Sequence, residues 1–205
     1  MPKTPDAMTI EFVFDVVSPN AYLAWWPLKD VLARTGATLA ITPVLLGGMH
    51  KLTGNAPPMI RDADVKGKVE YGMLEMRRFI ERHALSRFAM NPKFPFNSVA
   101  PQRMLLAVDG DKRIRLAEAL LVAIWEDGLD VGDAEALAKV ASGAGFDSAA
   151  LIEATQDPAV KQRLIDNTDR AVERGAFGIP TWFVGDEMFF GKERLGQIEE
   201  LLAGR

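Results

Sequence analysis

The chain has 205 residues, 48% of them hydrophobic, and a formal net charge of −4. That apolar share supports a substantial core, in one domain or in one domain carrying a large insertion. Lysine and arginine are scattered, which argues against a nucleic-acid surface, and no apolar run approaches the ~20 residues that cross a bilayer.

Residues 9–17, TIEFVFDVV, alternate imperfectly and are rich in β-branched and aromatic side chains, which predicts a buried strand. Ser18 then stands at an N-cap and Pro19 at the first helical position. The stretch that follows places Tyr22, Leu23, Trp26, Val31 and Leu32 on one apolar stripe. Pro27 is expected to kink it or begin its second part, and Gly36 to end it. Residues 37–46, ATLAITPVLL, predict a second strand, parallel to the first across a right-handed crossover. Residues 51–59, KLTGNAPPM, read as a Gly/Pro loop. From about residue 65 to 155 only helical periodicity is found, interrupted by the irregular MNPKFPFNS at 90–98. A long amphipathic helix with Pro158 near its start follows. Two short strands around Gly185 and Asp186 and a closing helix complete the chain.

Several chemistries are excluded by composition. There is no cysteine, so the protein has no disulfide, no cysteine nucleophile and no thiolate metal ligand. His50 and His83 lie far apart and match neither a metal nor a triad spacing, so no metal site is expected. His50 reads as a surface residue near a loop and His83 as one at a helix end. The first residues carry one lysine and no apolar leader core, from which a cytoplasmic location is expected. Trp25, Trp26 and Trp182 read first as core, and the methionines as core fillers.

A βαβ half followed by a ββα half, with a proline immediately before the first hairpin strand, is the order of a thioredoxin-like domain. In that fold a working cysteine lies where the first strand meets its helix, and here Ser18 occupies the place. FDVVSPNAYLA, TGNAPP, MNPKFPFNS and GIPTWFVGDEMFFGKERL together resemble the 2-hydroxychromene-2-carboxylate isomerases, DsbA-like proteins related to kappa-class glutathione transferases. The resemblance covers nearly the whole chain. It implies an α/β fold, a thioredoxin-like domain of residues 1–50 and 156–205 with an all-helical insertion at 51–155. It also implies a glutathione-dependent enzyme, usually a homodimer, acting on a small aromatic-derived acid.

Carried over residue by residue, the resemblance implies that Ser18 faces the glutathione sulfur and that Asn55 contacts the tripeptide. Lys51 and Lys68 fall near lysines that contact glutathione or the substrate carboxylate. Ile179, before a presumed cis Pro180, would pair its backbone with the cysteinyl part, and Lys192 and Glu193 would hold the γ-glutamyl end. Phe94, Phe96 and Asn97 either line an apolar acceptor pocket or form a plainly packed loop. Two departures put the second substrate in doubt: Asn20 where an aromatic often follows Ser-Pro, and Glu193 where the family often has an aspartate.

Ser18 has no histidine nearby in sequence to act as its base, so it is not read as a covalent nucleophile. On the junction alone it reads as a helix cap. A hydroxyl can also donate while accepting, and a helix N-terminus favours an anion. A thiol of pKa ~8.5 is mostly protonated at neutral pH, and lowering it by one to two units takes about 1.4 kcal/mol each. Two other readings stand beside the isomerase: a kappa-like transferase that releases its conjugate, and a non-catalytic peptide-binding module.

Overall fold

The computed structural model describes residues 8–204. The first seven residues, in which no leader is expected, lie outside the described residues. Ile10, Phe12 and Phe14 alternate along β1 (Thr9–Phe14), so one face of that strand is fully buried. The sheet order is β2-β1-β3-β4, with β2 (Thr38–Pro43) parallel to β1. The hairpin strands β3 (Thr181–Val184) and β4 (Glu187–Phe190) run antiparallel to it and to each other. The register sets Phe12 opposite Trp182, and their ring centroids are 4.1 Å apart.

Both strands of the βαβ unit are shorter than the sequence predicts. β1 ends at Phe14 because residues 15–17 turn and bond to side chains instead of to a strand. β2 ends at Pro43, a proline tolerated because β2 is an edge strand, and the Val44 N–H still reaches the Phe14 carbonyl of β1 at 3.0 Å. Helix α1 (Pro19–Thr35) runs uninterrupted through Pro27, which is buried, and presents Tyr22, Leu23, Trp25, Leu28 and Val31 to the core. It stops at Gly36, whose φ of 70° is open to glycine and whose N–H bonds the Leu32 carbonyl.

The segment expected to be a loop after residue 50 is helical at both ends. Helix α2 (Leu46–Thr53) carries His50 and Lys51, and α3 (Pro58–Arg61) opens on Pro58. A domain boundary at 50/51 therefore falls within one helix and not in a linker. Helices α4 (Lys68–Arg82), α5 (Val99–Leu106), α6 (Gly110–Trp125), α7 (Ala134–Gly143) and α8 (Ser148–Ala154) follow, with the irregular stretch between α4 and α5 as predicted. Then come α9 (Pro158–Glu173), the hairpin, a 3₁₀ turn (Lys192–Arg194) and α10 (Leu195–Ala203).

One core joins the two parts: Phe12, Trp25 and Trp182 belong to the same buried cluster as Met104, Leu121 and Trp125. The helical insertion therefore braces the sheet instead of hanging from it. Among the described residues no helix is long and apolar enough to cross a membrane.

Candidate active site

The site begins where β1 stops. Gln102 of α5, itself fully buried, donates through Nε2 to the carbonyls of Phe14 and Val44 at 2.7 and 2.8 Å. Its Oε1 accepts the Val16 N–H at 3.4 Å. Trp125 Nε1 of α6 donates to the Val16 carbonyl at 2.9 Å. The Asp15 carboxylate accepts the N–H groups of Val17 at 3.1 Å and Leu46 at 2.8 Å, and a hydrogen bond from the Ser98 side chain. The Asp15 carbonyl accepts the Ser18 N–H at 3.1 Å. A turn inside the core must satisfy its backbone groups somewhere, and here the insertion supplies much of what a strand partner would have given. Burial pushes the Asp15 carboxyl up to about 6, while the bonds from Leu46, Val17 and Ser98 pull the other way.

Ser18 follows at the head of α1. Its backbone is extended, as an N-cap requires, yet its hydroxyl makes no cap bond to the helix. Oγ instead donates to the Ile179 carbonyl at 3.4 Å, well beyond the usual O–H···O distance. The hydroxyl is therefore loosely held, and among the described residues no side chain caps α1. The peptide between Ile179 and Pro180 is cis, as expected. Ser18, Ile179 and Pro180 are all buried.

Asn55 lies just past α2, behind Gly54 in the left-handed region at φ 70°. Its Nδ2 donates to the Phe177 carbonyl at 2.8 Å and its Oδ1 accepts the Ala56 N–H at 2.9 Å. It thus ties α2 to the loop that carries Ile179. Gly178 in that loop sits against the ring of Phe190. A Cβ there would lie 2.9 Å from a ring carbon. The Gly191 N–H reaches the Pro180 carbonyl at 2.9 Å, which sets where the 3₁₀ turn begins.

Lys192 in that turn is buried. Its Nζ pairs with Glu193 at 2.5 Å and stands 5.1 Å from the centroid of the Phe79 ring of α4. It lines a cleft of about 400 Å³ shared by α1, α4 and α10, with Arg34, Arg82, His83 and Glu199. Its charge is partnered within that cleft, as a buried ammonium must be.

The other expected site residues lie on the rim. Lys51 is exposed in the last turn of α2. Lys68 opens α4 and pairs at 2.9 Å with Asp62, which Arg61 also grips through two nitrogens. Those two cations hold the Asp62 carboxyl well below the usual carboxylate range. His50 is half-buried on α2, not a loop residue, and its pKa is lowered by burial and by Arg61. Asn97 is exposed and accepts the Val99 N–H at 2.9 Å, a local bond at the start of α5. Phe94 and Phe96 pack on Trp125, both with centroids 5.9 Å away. The sequence thus places Ser18, Ile179, Pro180 and Asn55 around one loop. Among the described residues, Lys51, Lys68 and Asn97 make no hydrogen bond or ion pair to that group.

Sequence reasoning did not single out Asp15, Gln102, Trp125 or Phe177. A signal was present for one: Asp15 is the lone charge within FVFDVV, and a carboxylate in a buried run needs partners. Gln102 and Phe177 carry no such mark, since Gln102 bonds the backbone of Phe14, Val16 and Val44, and Phe177 offers only its carbonyl to Asn55, all far away in sequence.

The model of the DsbA-like thioredoxin domain matches residues 9–203, which sets the class of protein. The 2-hydroxychromene-2-carboxylate isomerase of Sphingobium xenophagum is 32% identical, over 95% of this chain and 97% of its own length. The Pseudomonas putida enzyme of the same name is 30% identical, over 95% and 94%. Human glutathione S-transferase kappa 1 is 27% identical, over 97% and 92%. A solved 2-hydroxychromene-2-carboxylate isomerase aligns with a TM-score of 0.82 at 26% identity, covering 96% of this chain and 95% of that one. The chain belongs to the DsbA-like 2-hydroxychromene-2-carboxylate isomerase family, as its sequence segments imply.

Proposed function

We propose that the protein is a glutathione-dependent isomerase acting on an unsaturated, aromatic-derived carboxylic acid. The observation that carries this is the Ser18 hydroxyl: it heads a 17-residue helix, leaves that helix uncapped, and is held only by a long bond to Ile179. A loosely bonded donor at the positive end of a 17-residue helix is suited to an incoming anion, although Pro19 has no N–H and the Ala21 N–H is taken by the Ser18 carbonyl. When bound, glutathione supplies a thiolate that adds to a conjugated double bond and is expelled after rotation, so that nothing is oxidised or reduced and the thiol is recovered.

The donor set suits a tripeptide thiol. Ser18 turns its hydroxyl from Ile179 to the sulfur and favours the charged form. Ile179 offers its backbone next to Pro180. Asn55 keeps the Ile179 loop in place through Phe177, a supporting part for a residue expected to touch the ligand. Glu193 holds the ammonium end, with Lys192 fixing its carboxylate. Lys51, Arg61 and Lys68 form a cationic rim that suits the carboxylate of the second substrate. The protein works in the cytoplasm as a homodimer.

Calorimetry tests this directly. Above pH 7, where the thiol ionises, glutathione binds with an affinity that rises with pH, and S-methylglutathione lacks that rise. Affinity for unfolded peptides with none for glutathione overturns the reading in favour of a peptide-binding module. The similarity to kappa transferases favours one second reading, release of the conjugate as product. A stable glutathione adduct during turnover supports it, and full recovery of free glutathione excludes it.

A further inference from the structure

The buried carboxylate of Asp15 has no part in the chemistry above, yet the beginnings of two helices, α2 and α5, and the turn that leads into α1 converge on it. The main-chain carbonyl of Asp15 receives the N–H of Ser18, as any residue's would, so the carboxylate acts on Ser18 through the N–H of Val17, the residue before it. The Asp15 Oδ2 receives the N–H of Leu46, the first residue of α2, at 2.8 Å, and α2 has no side-chain cap of its own. Its third partner is the side chain of Ser98, the residue before α5. Oδ1 meanwhile closes the turn onto Val17 at 3.1 Å. From these three helices come Ser18, the Lys51 and Asn55 arm, and the Asn97 segment.

We infer that Asp15 is a positioning residue, whose ionised carboxylate sets Ser18 and the α2 arm in the arrangement that receives the tripeptide. The inference rests on the glutathione reading for its ligand. Its structural half does not.

The choice of residue carries the argument. A negative charge is unwelcome at a place meant to receive an anion, so the value of this carboxylate is positional. An asparagine would avoid the charge but has one acceptor oxygen and a donating amide. It cannot accept from both Val17 and Leu46 on separate oxygens, and its NH₂ would face one of those N–H groups. Protonation of Asp15 creates the same conflict, since one oxygen becomes a donor. The groups that meet Asp15 from α1, α2 and α5 are Ser18, Leu46 and Ser98. The titratable side chains on those helices are Tyr22, Lys29, Asp30 and Arg34, then His50 and Lys51, then Arg103. No charged neighbour contributes to the raised pKa of Asp15.

The test uses S-methylglutathione, which has no thiol to ionise and whose carboxylates and ammonium keep their charges between pH 5 and 7. Wild type binds it about tenfold more weakly at pH 5 than at pH 7. Asp15→Asn binds at the weaker level throughout and shows no pH dependence, while both histidines remain in place. A variant that follows the wild-type profile overturns the inference.

A second readout needs no ligand. The amide resonances of Val17 and Leu46 titrate together with the Asp15 carboxyl in wild type. Flat resonances overturn the positional role. Failure of wild type to bind S-methylglutathione at any pH, with those amides still titrating, refutes the glutathione reading and leaves the clamp intact. If Asp15→Asn does not fold, Ser98→Ala serves. It removes one donor to the charged form, so the common midpoint moves to higher pH, and an unmoved midpoint counts against the clamp.

Discussion

The Ser18 turn and the cationic rim of α2–α4 lie in the same protein but are built in opposite ways. The turn at residues 15–18 is enclosed: Asp15 and Gln102 are fully buried, and Trp125 reaches across from the insertion to hold Val16. The rim is open. Lys51, Arg61 and Lys68 are exposed, and Leu52, Met59, Ile60 and Val65 beside them are more than half exposed. Side chains locked by several bonds keep a donor in place to a fraction of an ångström, which suits activation of one fixed cofactor. Exposed cations on long stems adapt, which suits recognition of an acid that can vary between relatives. On this view the departures at Asn20 and Glu193 belong to ligand choice, while the turn belongs to chemistry.

The sharpest way to break the contrast is at Gln102. Gln102→Leu keeps the volume but strands the Val44 carbonyl and the Val16 N–H inside the core and takes one of two donors from the Phe14 carbonyl. Unfolding free energy should fall by about 3–5 kcal/mol, read from the denaturant midpoint at unchanged slope. A loss no larger than that of a surface substitution would mean that the turn is not clamped.

Next comes the pH dependence of stability. The carboxyl of Asp15 is raised from 3.8 to about 6, so the folded chain binds its proton more tightly than the unfolded chain. That contribution is fully present below pH 3.8 and is lost as pH rises through about 6. Relative to Asp15→Asn, wild type should therefore gain about 2 kcal/mol on going from pH 7.5 to pH 4. Paired denaturant melts measure the difference, and a constant gap between the two proteins would show that Asp15 does not titrate as its burial demands.

Ser18→Ala probes the donor itself. Among the described residues its hydroxyl makes one bond, a long one, so stability should change by less than about 0.5 kcal/mol. Turnover should fall about 10²-fold, the effect of removing one donor to a developing or bound anion. The thiol of bound glutathione, followed by its ultraviolet thiolate absorbance, should titrate at higher pH. An unchanged titration removes Ser18 from the chemistry.

The smallest effect is expected at the rim. Lys51→Ala should leave glutathione affinity and melting temperature at wild-type values and raise the KM for the acid a few-fold. Loss of glutathione affinity in this variant would move Lys51 from the acceptor side to the cofactor side.

Much of this was legible before any coordinates. The Ser18-Pro19 pair marks a helix start because proline tolerates the first helical position and serine the one before it. The order of elements pointed to a thioredoxin-like domain, and four segments taken together, from FDVVSPNAYLA to GIPTWFVGDEMFFGKERL, named the family. The reach of β1 was not legible, since FVFDVV reads as continuous strand until one sees that Asp15 bonds Leu46, distant in sequence. Nor was the helix through Lys51. Gly47, Gly48 and Gly54 suggest a loop, but Asp15 supplies the missing bond at the first N–H of α2.

The sequence by itself determined the alternation that buries β1, the punctuation of α1 by Ser18, Pro19 and Gly36, and the absence of any thiol of the protein's own. These are local matters of side-chain period and backbone freedom. Only the tertiary structure decided that Ser18 leaves its helix uncapped and turns to Ile179, and that a glutamine and a tryptophan from the insertion hold the turn. Hydrogen bonds between groups 86 to 161 residues apart depend on how the chain closes on itself, and no local pattern encodes them.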